Sequence, residues 1–360
     1  MCPRNAVILG CTGLVGQAFI RRLAVHPWFR LVGLVASSRS AGRRCDEIFA
    51  DGIAALPGHV RNLRISSLDE MAENVEVVFS ALPSKVAGPV ENELRRKGLL
   101  VFSNAASHRM DPDVPILVPE VNPQHIELAH DQLRRESGAI VTNANCVTAG
   151  LVMALSPLLP FGLRRVDLVT CQALSGAGNN GPRALAMLGN ILPRIEGEEE
   201  KIVCETRRIL GKLENGRVNP LDLDINVTCC RVPVVHGHML HITVETDSAL
   251  DPEQARRAMA SFKGHPQSLA LPSAPPSPLL VCSASDRPQP LLDVEAGGPG
   301  AGRGMAVSIG RLRASNRRLQ FTALVHNLER GAAGTSVLNA ELAMKRNLAP
   351  SVAGGDEACG

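Results

Sequence analysis

The chain has 360 residues, 45% of them apolar, which is enough for two domains that each bury a core. Its 38 Lys and Arg residues against 35 Asp and Glu leave a formal net charge of +3, so bulk charge gives no argument for nucleic acid or an anionic membrane as a partner. Because only 2% of the residues are aromatic and none is Tyr, stacking platforms for bases or sugars are not expected.

The N-terminus and the cysteines bear on the cellular compartment. No apolar stretch reaches the roughly 20 residues that a bilayer span needs, and "MCPRNAVILG" runs directly into a predicted strand rather than a signal peptide. The ten cysteines show neither the spacing of a disulfide framework nor paired C-x-x-C clusters, which favours reduced thiols. We therefore expect a cytoplasmic protein without a membrane partner.

Short β-rich runs alternate with helix-like stretches in the first third of the chain. The β-rich runs lie at 5–10, 31–36, 75–82 and 99–105, and helix-like stretches at 16–27 and 86–98 separate some of them. This alternation predicts a parallel α/β sheet. After residue 146, β-rich segments at 163–176 and 239–246 and a helical stretch at 251–264 predict a second, α+β domain. The Pro- and Gly-rich segments 271–280 and 297–305 are predicted to be surface loops.

A glycine-rich turn follows the first predicted strand. Gly10, Gly13 and Gly16 stand between that strand and the first helix, where glycine permits a tight turn and lets a pyrophosphate approach the helix N-terminus. A glycine turn without a ligand is the alternative, but strand, turn and helix occur in the order that a dinucleotide site requires. We therefore predict a dinucleotide cofactor here.

The second strand indicates which dinucleotide binds. An NAD site usually offers a carboxylate about 20 residues after the glycines, whereas this chain has no Asp or Glu before Asp46. Its second strand instead ends in "ASSRSAGRR", where Ser37, Ser38, Arg39 and Ser40 are suited to hold a 2′-phosphate by charge-assisted hydrogen bonds. NADP is thus predicted in preference to NAD.

Cys146 stands in "TNANCVTAG", which predicts a strand, a turn and a helix that begins near the cysteine. A thiol at a helix N-terminus lies at the positive end of the helix dipole, which lowers its pKa and favours the thiolate. A lone cysteine is more often a small buried apolar residue. Because this one follows a dinucleotide-binding pattern, we predict a nucleophile, with Asn145 and Cys146 as hydrogen-bond donors to an oxyanion.

Residues that a thiol-based aldehyde oxidation requires follow downstream. Gln172 is a polar orienting group, and Ser175 and Gly176 would let a nicotinamide ring approach the backbone. Arg231 is suited to bind a carboxylate, and His238 is a candidate acid/base near neutral pH. Two separated cations, Arg109 and Lys201, suit an anionic substrate together with inorganic phosphate.

A metal site is the competing interpretation of the region 229–241. Cys229, Cys230, His236, His238 and His241 are all metal-ligating residue types, but their spacing fits no common zinc pattern. In a strand, moreover, the side chain of His241 would face away from those of His236 and His238. We therefore expect no metal.

The motifs together resemble one enzyme family. "GCTGLVGQ", "ASSRSAG", "FSALP", "VPEVN", "TNANC", "QALSGAG", "GEEEK", "RVPVVHGH" and "HNLERGAAG" follow one another through nearly the whole chain. In this order they resemble aspartate-semialdehyde dehydrogenases, and more closely their archaeal and fungal branch. The resemblance implies a reversible, NADPH-dependent conversion of L-aspartyl 4-phosphate to L-aspartate 4-semialdehyde through a cysteine thioester, in the biosynthesis of lysine, threonine and methionine.

The same resemblance implies a domain arrangement. Residues 1–145 would form an NADP-binding, Rossmann-type domain with a parallel sheet, completed by a C-terminal helix at about 328–346. Residues 146–327 would form an α+β catalytic and dimerisation domain, and 347–360 a flexible tail. The expected assembly is a homodimer or homotetramer, and the expected partners are aspartate semialdehyde and phosphate.

Site residues carry over from the family one by one. Cys146 matches the nucleophile, His238 the acid/base and Gln172 the active-site glutamine. Arg231 matches the arginine that binds the substrate carboxylate, Glu198 the glutamate that binds its amine, and Arg109 and Lys201 the phosphate-binding positions. Asn327 matches an asparagine near the nicotinamide. The other expected cofactor contacts are Gly10, Thr12, Gly13, Leu14, Val15, Gly16, Ser37, Ser38, Arg39, Ser40, Ser80, Ser175 and Gly176.

Three other functions stay open at this point. Malonyl-CoA reductase shares much of the motif set but uses a CoA thioester, and Val147 stands where the family usually has Ser or Thr after the nucleophile. N-acetyl-glutamyl-phosphate reductase uses the same chemistry on a homologous scaffold, but "RVPVVHGH" and "GAAG" argue against it. A non-catalytic NADP-binding regulator would have no need to keep Cys146, Arg231 and His238 together.

Overall fold

The computed structural model of the protein describes residues 2–47, 56–181 and 184–349. Its helices are α1 Leu14–Leu23, α2 Gly58–Arg61, α3 Ser84–Arg96, α4 Glu127–Arg135, α5 Cys146–Leu155, α6 Ala184–Met187, α7 Glu198–Ile209, α8 Pro252–Ser261, α9 His265–Ser268, α10 Pro290–Asp293 and α11 Gly334–Lys345. Its strands are β1 Arg4–Leu9, β2 Phe29–Val35, β3 Ile65–Ser66, β4 Val77–Ser80, β5 Leu100–Ser103, β6 Ile116–Leu117, β7 Ala139–Asn143, β8 Leu163–Gln172, β9 Lys212–Glu214, β10 Arg217–Asn219, β11 Asp224–Arg231, β12 His238–Thr246, β13 Leu279–Val281, β14 Val307–Ser315 and β15 Arg318–Val325.

The first sheet has seven strands in the order β3-β2-β1-β4-β5-β7-β6, and all its neighbouring pairs are parallel. Helices cover both faces, so alternate residues of a central strand enter different cores. In β1, Ala6 and Ile8 belong to one core and Val7 and Leu9 to the other. This explains why its strands read as continuous apolar runs, and it confirms the predicted parallel α/β sheet.

The last helix packs on this first sheet. Val337, Leu338 and Leu342 of α11 are fully buried in the same core as Phe19 of α1 and Phe79 of β4. A π-helical turn at Glu329–Ala333 leads into α11. The chain therefore returns to its N-terminal sheet, although the exact domain limits 1–145, 146–327 and 328–346 remain a prediction.

The second sheet has six strands in the order β11-β8-β12-β15-β14-β13 and mixes parallel and antiparallel pairs. One face packs against α5, whose residues Val147 to Leu155 are all buried. A helix that is apolar on every side is a core helix. The predicted second α+β domain is thus confirmed, and its central helix begins at Cys146.

The structure corrects two predictions about segments outside the main elements. The segments 271–280 and 297–305 are not simply surface loops, because Ser273, Leu279, Gly302 and Met305 are buried. The Ser273 N–H donates to both carboxylate oxygens of Glu341, at 3.1 and 3.0 Å, which ties this stretch to α11. Leu348 is buried, which contradicts a flexible tail that starts at residue 347; residues 350–360 of the predicted tail lie outside the described ranges.

In the described parts of the chain, no helix is long and apolar enough to cross a membrane.

Candidate active site

The thiol of Cys146 lies at the first residue of α5, as the sequence predicted. The buried strand β7 leads to this point, and Asn145 caps the helix. The Asn145 Oδ1 atom accepts hydrogen bonds from the Val147 N–H at 2.9 Å and the Thr148 N–H at 3.3 Å. The cap satisfies two otherwise free backbone donors and fixes the direction from which the thiol enters the site.

His238, the first residue of β12, is the partner of this thiol. Its Nε2 atom lies 3.2 Å from the Cys146 Sγ, and its Nδ1 atom accepts the Ala173 backbone N–H at 3.0 Å. Because a nitrogen that accepts a hydrogen bond carries no proton, the neutral ring is assigned its proton on Nε2, facing the sulfur. This backbone contact disfavours the imidazolium, which would need a proton on Nδ1.

The electrostatics of the pair correct the expectation of a thiolate in the free protein. Burial, followed by the negative charge of Glu198, raises the pKa of Cys146 to about 12, despite the opposing effects of Arg109, Arg231 and the Val147 N–H. Burial, followed by Arg231 and His326, lowers the pKa of His238 to about 3. Desolvation thus outweighs the helix N-terminus, and the pair is a neutral thiol beside a neutral imidazole.

Arg231 ends β11 close to the same pair. It is buried, and its Nη1 atom donates to the Ala173 carbonyl oxygen at 2.8 Å. A Cβ atom on Gly176 would lie 2.9 Å from this Nη1 and 2.7 Å from His238 Cε1. Only glycine fits between them, so Ala173 and Gly176 hold the acid/base candidate and the arginine beside each other.

Arg109 belongs to a buried network that the sequence did not indicate. Its Nη1 atom donates to Glu205 Oε1 at 2.8 Å, and its Nη2 atom donates to the Asn104 carbonyl oxygen at 2.8 Å. The other oxygen of Glu205 accepts the Asn145 backbone N–H at 2.7 Å. The Asn145 N–H is therefore already engaged, which argues against its predicted role as an oxyanion donor.

Helix α7 begins with three glutamates, and each of their side chains has a different environment. Glu198 Oε1 accepts from Asn145 Nδ2 at 2.9 Å, which places this carboxylate beside the nucleophile. Glu199 accepts the Cys229 N–H at 2.9 Å, and Glu200 is exposed. Of the three carboxylates, only that of Glu198 accepts from the residue that precedes the nucleophile, and its role toward a substrate stays a prediction. Lys201 is exposed, and its side chain makes no hydrogen bond or ion pair with the described residues.

Gln172 lies deeper than the other predicted site residues. It ends β8 and is 1% exposed, and its Nε2 atom donates to Thr170 Oγ1 at 3.4 Å. This long contact leaves its amide available for another partner.

One cavity of about 1060 Å³ connects the glycine turn to the thiol. Of the predicted cofactor residues, those that line it are Gly10, Thr12, Gly13, Leu14, Val15, Ser37, Arg39, Ser175, Gly176 and Asn327. Arg109, Asn145 and Cys146 line it as well. Gly10 has φ +73°, and a Cβ atom there would lie 2.6 Å from the Ala81 carbonyl oxygen, so the turn requires glycine.

Four predicted cofactor residues do not line this cavity. Ser80 is fully buried, and its hydroxyl donates to Glu91 Oε1 at 2.6 Å. Gly16 lies inside α1, where a Cβ atom would meet the Gly10 carbonyl oxygen at 2.3 Å, so it serves the shape of the turn. Ser38 and Ser40 flank Arg39 and stay outside the lining.

Asn327 holds the loop that carries Ser175. Its Nδ2 atom donates to Ser175 Oγ at 2.8 Å, and its Oδ1 atom accepts the Gly237 N–H at 2.9 Å. Since Ser175 Oγ accepts from Asn327, its own proton is free for His236 Nδ1, 3.0 Å away. In the sequence, His236 stood out only as a metal-ligand type. The described residues contain no group of three or more His, Cys, Asp or Glu side chains placed to hold a metal.

Comparisons with known proteins follow the same division of the chain. The model described as semialdehyde dehydrogenase, NAD binding domain, matches residues 5–129. The model described as semialdehyde dehydrogenase, dimerisation domain, matches residues 155–330.

Relatives and a solved structure match almost end to end. An aspartate-semialdehyde dehydrogenase of Methanothermobacter thermautotrophicus is 44% identical, over 94% of this chain and 98% of that protein. A malonyl CoA reductase (NADP) of Metallosphaera sedula is 38% identical, over 95% of this chain and 97% of that protein. The crystal structure of aspartate-semialdehyde dehydrogenase with NADP from Candida albicans has a TM-score of 0.86 and 34% identity, and covers 96% of this chain and 99% of that one.

Proposed function

This chain belongs to the aspartate-semialdehyde dehydrogenase family, and from that premise we propose that it reduces L-aspartyl 4-phosphate to L-aspartate 4-semialdehyde with NADPH. The reaction is reversible and serves the biosynthesis of the aspartate-family amino acids. The observation that carries the proposal is the single cavity that joins the glycine turn and Arg39 to Cys146, whose sulfur lies 3.2 Å from His238 Nε2.

The residues at the cofactor end fit NADP. The turn at Gly10 leaves its backbone open to a pyrophosphate, while Arg39 and Ser37 line the cavity after β2, where an NAD site would need a carboxylate. We assign the 2′-phosphate to Arg39 and the nicotinamide end to Ser175, Gly176 and Asn327. When bound, NADPH supplies the hydride that the reduction needs.

The neutral Cys146–His238 pair accounts for the proton movements of the biosynthetic direction. The Cys146 sulfur attacks the acyl carbon of the substrate, the bond from that carbon to the phosphate oxygen breaks, and the thiol proton leaves on hydrogen phosphate. Once the resulting thioester is reduced, His238 Nε2 donates its proton to the oxygen on the reacting carbon and takes up a replacement from solvent, which is the one proton that the overall reduction consumes. As the aldehyde is released, the hydroxyl proton returns through Nε2 to the sulfur.

Five side chains are assigned to the substrate. Arg231, buried beside His238, binds the α-carboxylate, and Glu198 binds the amine. Arg109, which lines the cavity, binds phosphate. Lys201 is assigned to the same phosphate from the exposed side of α7, which requires its side chain to turn toward the cavity. Gln172 orients the acyl group.

We also propose a cytoplasmic homo-oligomer, a homodimer or homotetramer, that associates through the second domain. The match of residues 155–330 to a dimerisation domain supports this assembly.

The test is phosphate-dependent reduction of NADP by aspartate semialdehyde. Turnover with aspartate semialdehyde and phosphate is expected, and Cys146→Ser serves as the inactive control. The 38% identity to a malonyl CoA reductase makes malonate semialdehyde with CoA the second substrate pair to assay. If only that second pair supports turnover, the chain is a CoA-dependent reductase and the proposed substrate is wrong.

A further inference from the structure

Helix α7 holds the residue before the nucleophile at two points. Glu198 and Glu205 are seven residues apart, which brings two side chains of a helix to the same side after two turns. Glu198 accepts from the Asn145 side chain at 2.9 Å, and Glu205 accepts from the Asn145 backbone N–H at 2.7 Å. The start of α5 is thus anchored to α7 by its side chain and by its backbone.

The carboxylate of Glu205 is divided between two donors. One oxygen holds the Asn145 N–H, and the other holds Arg109 Nη1 at 2.8 Å. In a bidentate ion pair, a carboxylate accepts from two N–H groups of the guanidinium. Here the Glu205 carboxylate accepts from only one nitrogen of Arg109. The buried Arg109 Nε atom has no hydrogen-bond partner among the residues that the structure describes, so the guanidinium is oriented without being saturated.

This arrangement joins two parts of the site that lie 36 residues apart in the sequence, at Arg109 and Asn145. Arg109 is 8% exposed and Glu205 is 2% exposed, and both Arg109 and Cys146 line the cavity. A buried ion pair is weak evidence for a stabilising role, because desolvation offsets most of the attraction. What the bridge does provide is a fixed position of the guanidinium relative to the start of α5.

We propose that Glu205 is a positioning residue for anion binding: it holds Arg109 at a set place relative to Cys146, so that an anion bound by Arg109 lies beside the thiol. This inference rests on the proposed function, which assigns phosphate to Arg109. Glu205 does not touch the substrate, and its effect passes through Arg109. Its removal therefore weakens phosphate binding selectively and leaves NADP binding unchanged.

The variant that tests this is Glu205→Gln, with Glu200→Gln as the matched control. The amide oxygen of Gln accepts from one of the two donors, but its NH₂ group then faces the other N–H, so one of the two contacts is lost. Glu200 is on the same helix and is exposed, and its side chain bonds to none of the described residues, so its variant makes the same chemical change away from the network.

The first measurement is independent of turnover. Iodoacetamide labels Cys146 through its small thiolate fraction, mass spectrometry follows the slow rate at this residue, and inorganic phosphate is titrated as a protectant. Phosphate is expected to slow labelling in the unmodified protein and in Glu200→Gln. Glu205→Gln should require about tenfold more phosphate for the same protection, as expected for the loss of one charge-assisted contact. Equal protecting concentrations in all three proteins, or no protection of the unmodified protein, would overturn the inference.

The second measurement separates positioning from a general structural effect. In steady-state NADP reduction, Glu205→Gln should raise the KM for phosphate about tenfold while the KM for NADP changes less than about twofold. Added to Arg109→Met, Glu205→Gln should raise the KM for phosphate no further. A lowered kcat with an unchanged phosphate KM, or equal effects in both backgrounds, would show a merely structural role.

Two safeguards keep the outcomes distinct. If Glu205→Gln does not fold, Glu205→Asp is the second variant, since it retains the charge on a side chain that is one methylene shorter. The same rise in the protecting phosphate concentration is expected for it. If the unmodified protein does not turn over aspartate semialdehyde with phosphate, the proposed function fails, while phosphate protection of Cys146 still decides the role of Glu205.

Discussion

The backbone of Gly331 lies against the nucleophile, and this contact allows a quantitative prediction. A Cβ atom on Gly331 would lie 2.6 Å from Cys146 Cβ and 3.0 Å from Cys146 Cα. Carbon atoms normally approach to about 3.5 to 4.0 Å, so Gly331→Ala must separate the two residues by roughly 1 Å. Asn145 caps the helix at Cys146, and the adjacent Arg330 pairs with Glu120 at 2.6 and 3.0 Å, both fully buried.

Because both sides are anchored, the separation is expected to displace the thiol from His238. Overpacking of this kind costs about 1 to 3 kcal/mol of folding stability. A displacement of about 1 Å at a reacting group costs about 100-fold in rate. Gly331→Ala should therefore lower kcat by about two orders of magnitude while the protein stays folded.

The assay compares kcat for NADP reduction with the thermal midpoint of unfolding. Gly58→Ala is the matched control, since a Cβ atom on Gly58 would meet none of the described residues within 4 Å. The control should keep the kcat of the unmodified protein. If Gly331→Ala keeps kcat within twofold, the contact with Cys146 does not constrain the thiol, and the reasoning from the glycine is refuted.

Three further predictions concern the cofactor, the nucleophile and acid stability. Arg39→Ala should weaken NADPH binding by about 1.5 to 3 kcal/mol, measured as a raised KM for NADPH, and leave the KM for NADH nearly unchanged. Equal increases of the two KM values would show that Arg39 does not bind the 2′-phosphate. Cys146→Ser should retain NADP binding, measured by fluorescence titration, but lose turnover by several orders of magnitude, and an active variant would exclude the thioester. Burial lowers the pKa of His125 to about 4 from 6.5, so the unfolded chain binds more protons between these values. The contribution of neutral His125 to the free energy of unfolding, at most about 3 kcal/mol, is present above pH 6.5 and lost as the pH falls toward 4. In urea unfolding, His125→Gln should therefore lose less stability between pH 7 and 5 than the unmodified protein does. An identical loss in both proteins would contradict this prediction.

The sequence predicted the first sheet and the nucleophile helix because their signals are local. Strands such as β1 and β7 are buried on both faces and therefore read as continuous apolar runs. The helix start at Cys146 follows from Asn145, whose side chain can cap a helix wherever it folds. The order of the motifs along the chain was sufficient to indicate the family, because it does not depend on knowing which residues are in contact.

The ionisation state of Cys146 could not be predicted locally. The sequence placed it at a helix N-terminus, which lowers a thiol pKa, but burial and Glu198 act in the opposite direction. Both opposing influences come from the tertiary structure, because Glu198 is 52 residues away in the sequence. The role of Glu205 could not be predicted for the same reason. Its spacing from Glu198 is informative only once the structure shows that both carboxylates accept from Asn145.

Some of the second sheet was missed although its signal was present. Near the turn that joins them, β14 and β15 alternate buried or half-buried apolar residues with exposed polar or charged ones, as at Leu312 and Arg313 or at Leu319 and Arg318. This period of two is typical of a strand with one face on a core. The Pro- and Gly-rich segments 271–280 and 297–305 both precede β14, and the loops that they predict gave no indication of the strands that follow.

The balance of charge around Cys146 explains how such a site can be buried before any ligand binds. Arg109 and Arg231 are the buried cations, and Glu205 and Glu198 are the carboxylates that face this network, so the charges offset one another around a neutral thiol and imidazole. A thiolate would add an uncompensated charge to this set, which is why burial raises the thiol pKa. On the proposed function, a phosphorylated substrate brings its own acceptor for the thiol proton, so the enzyme has no need of a thiolate in its resting state.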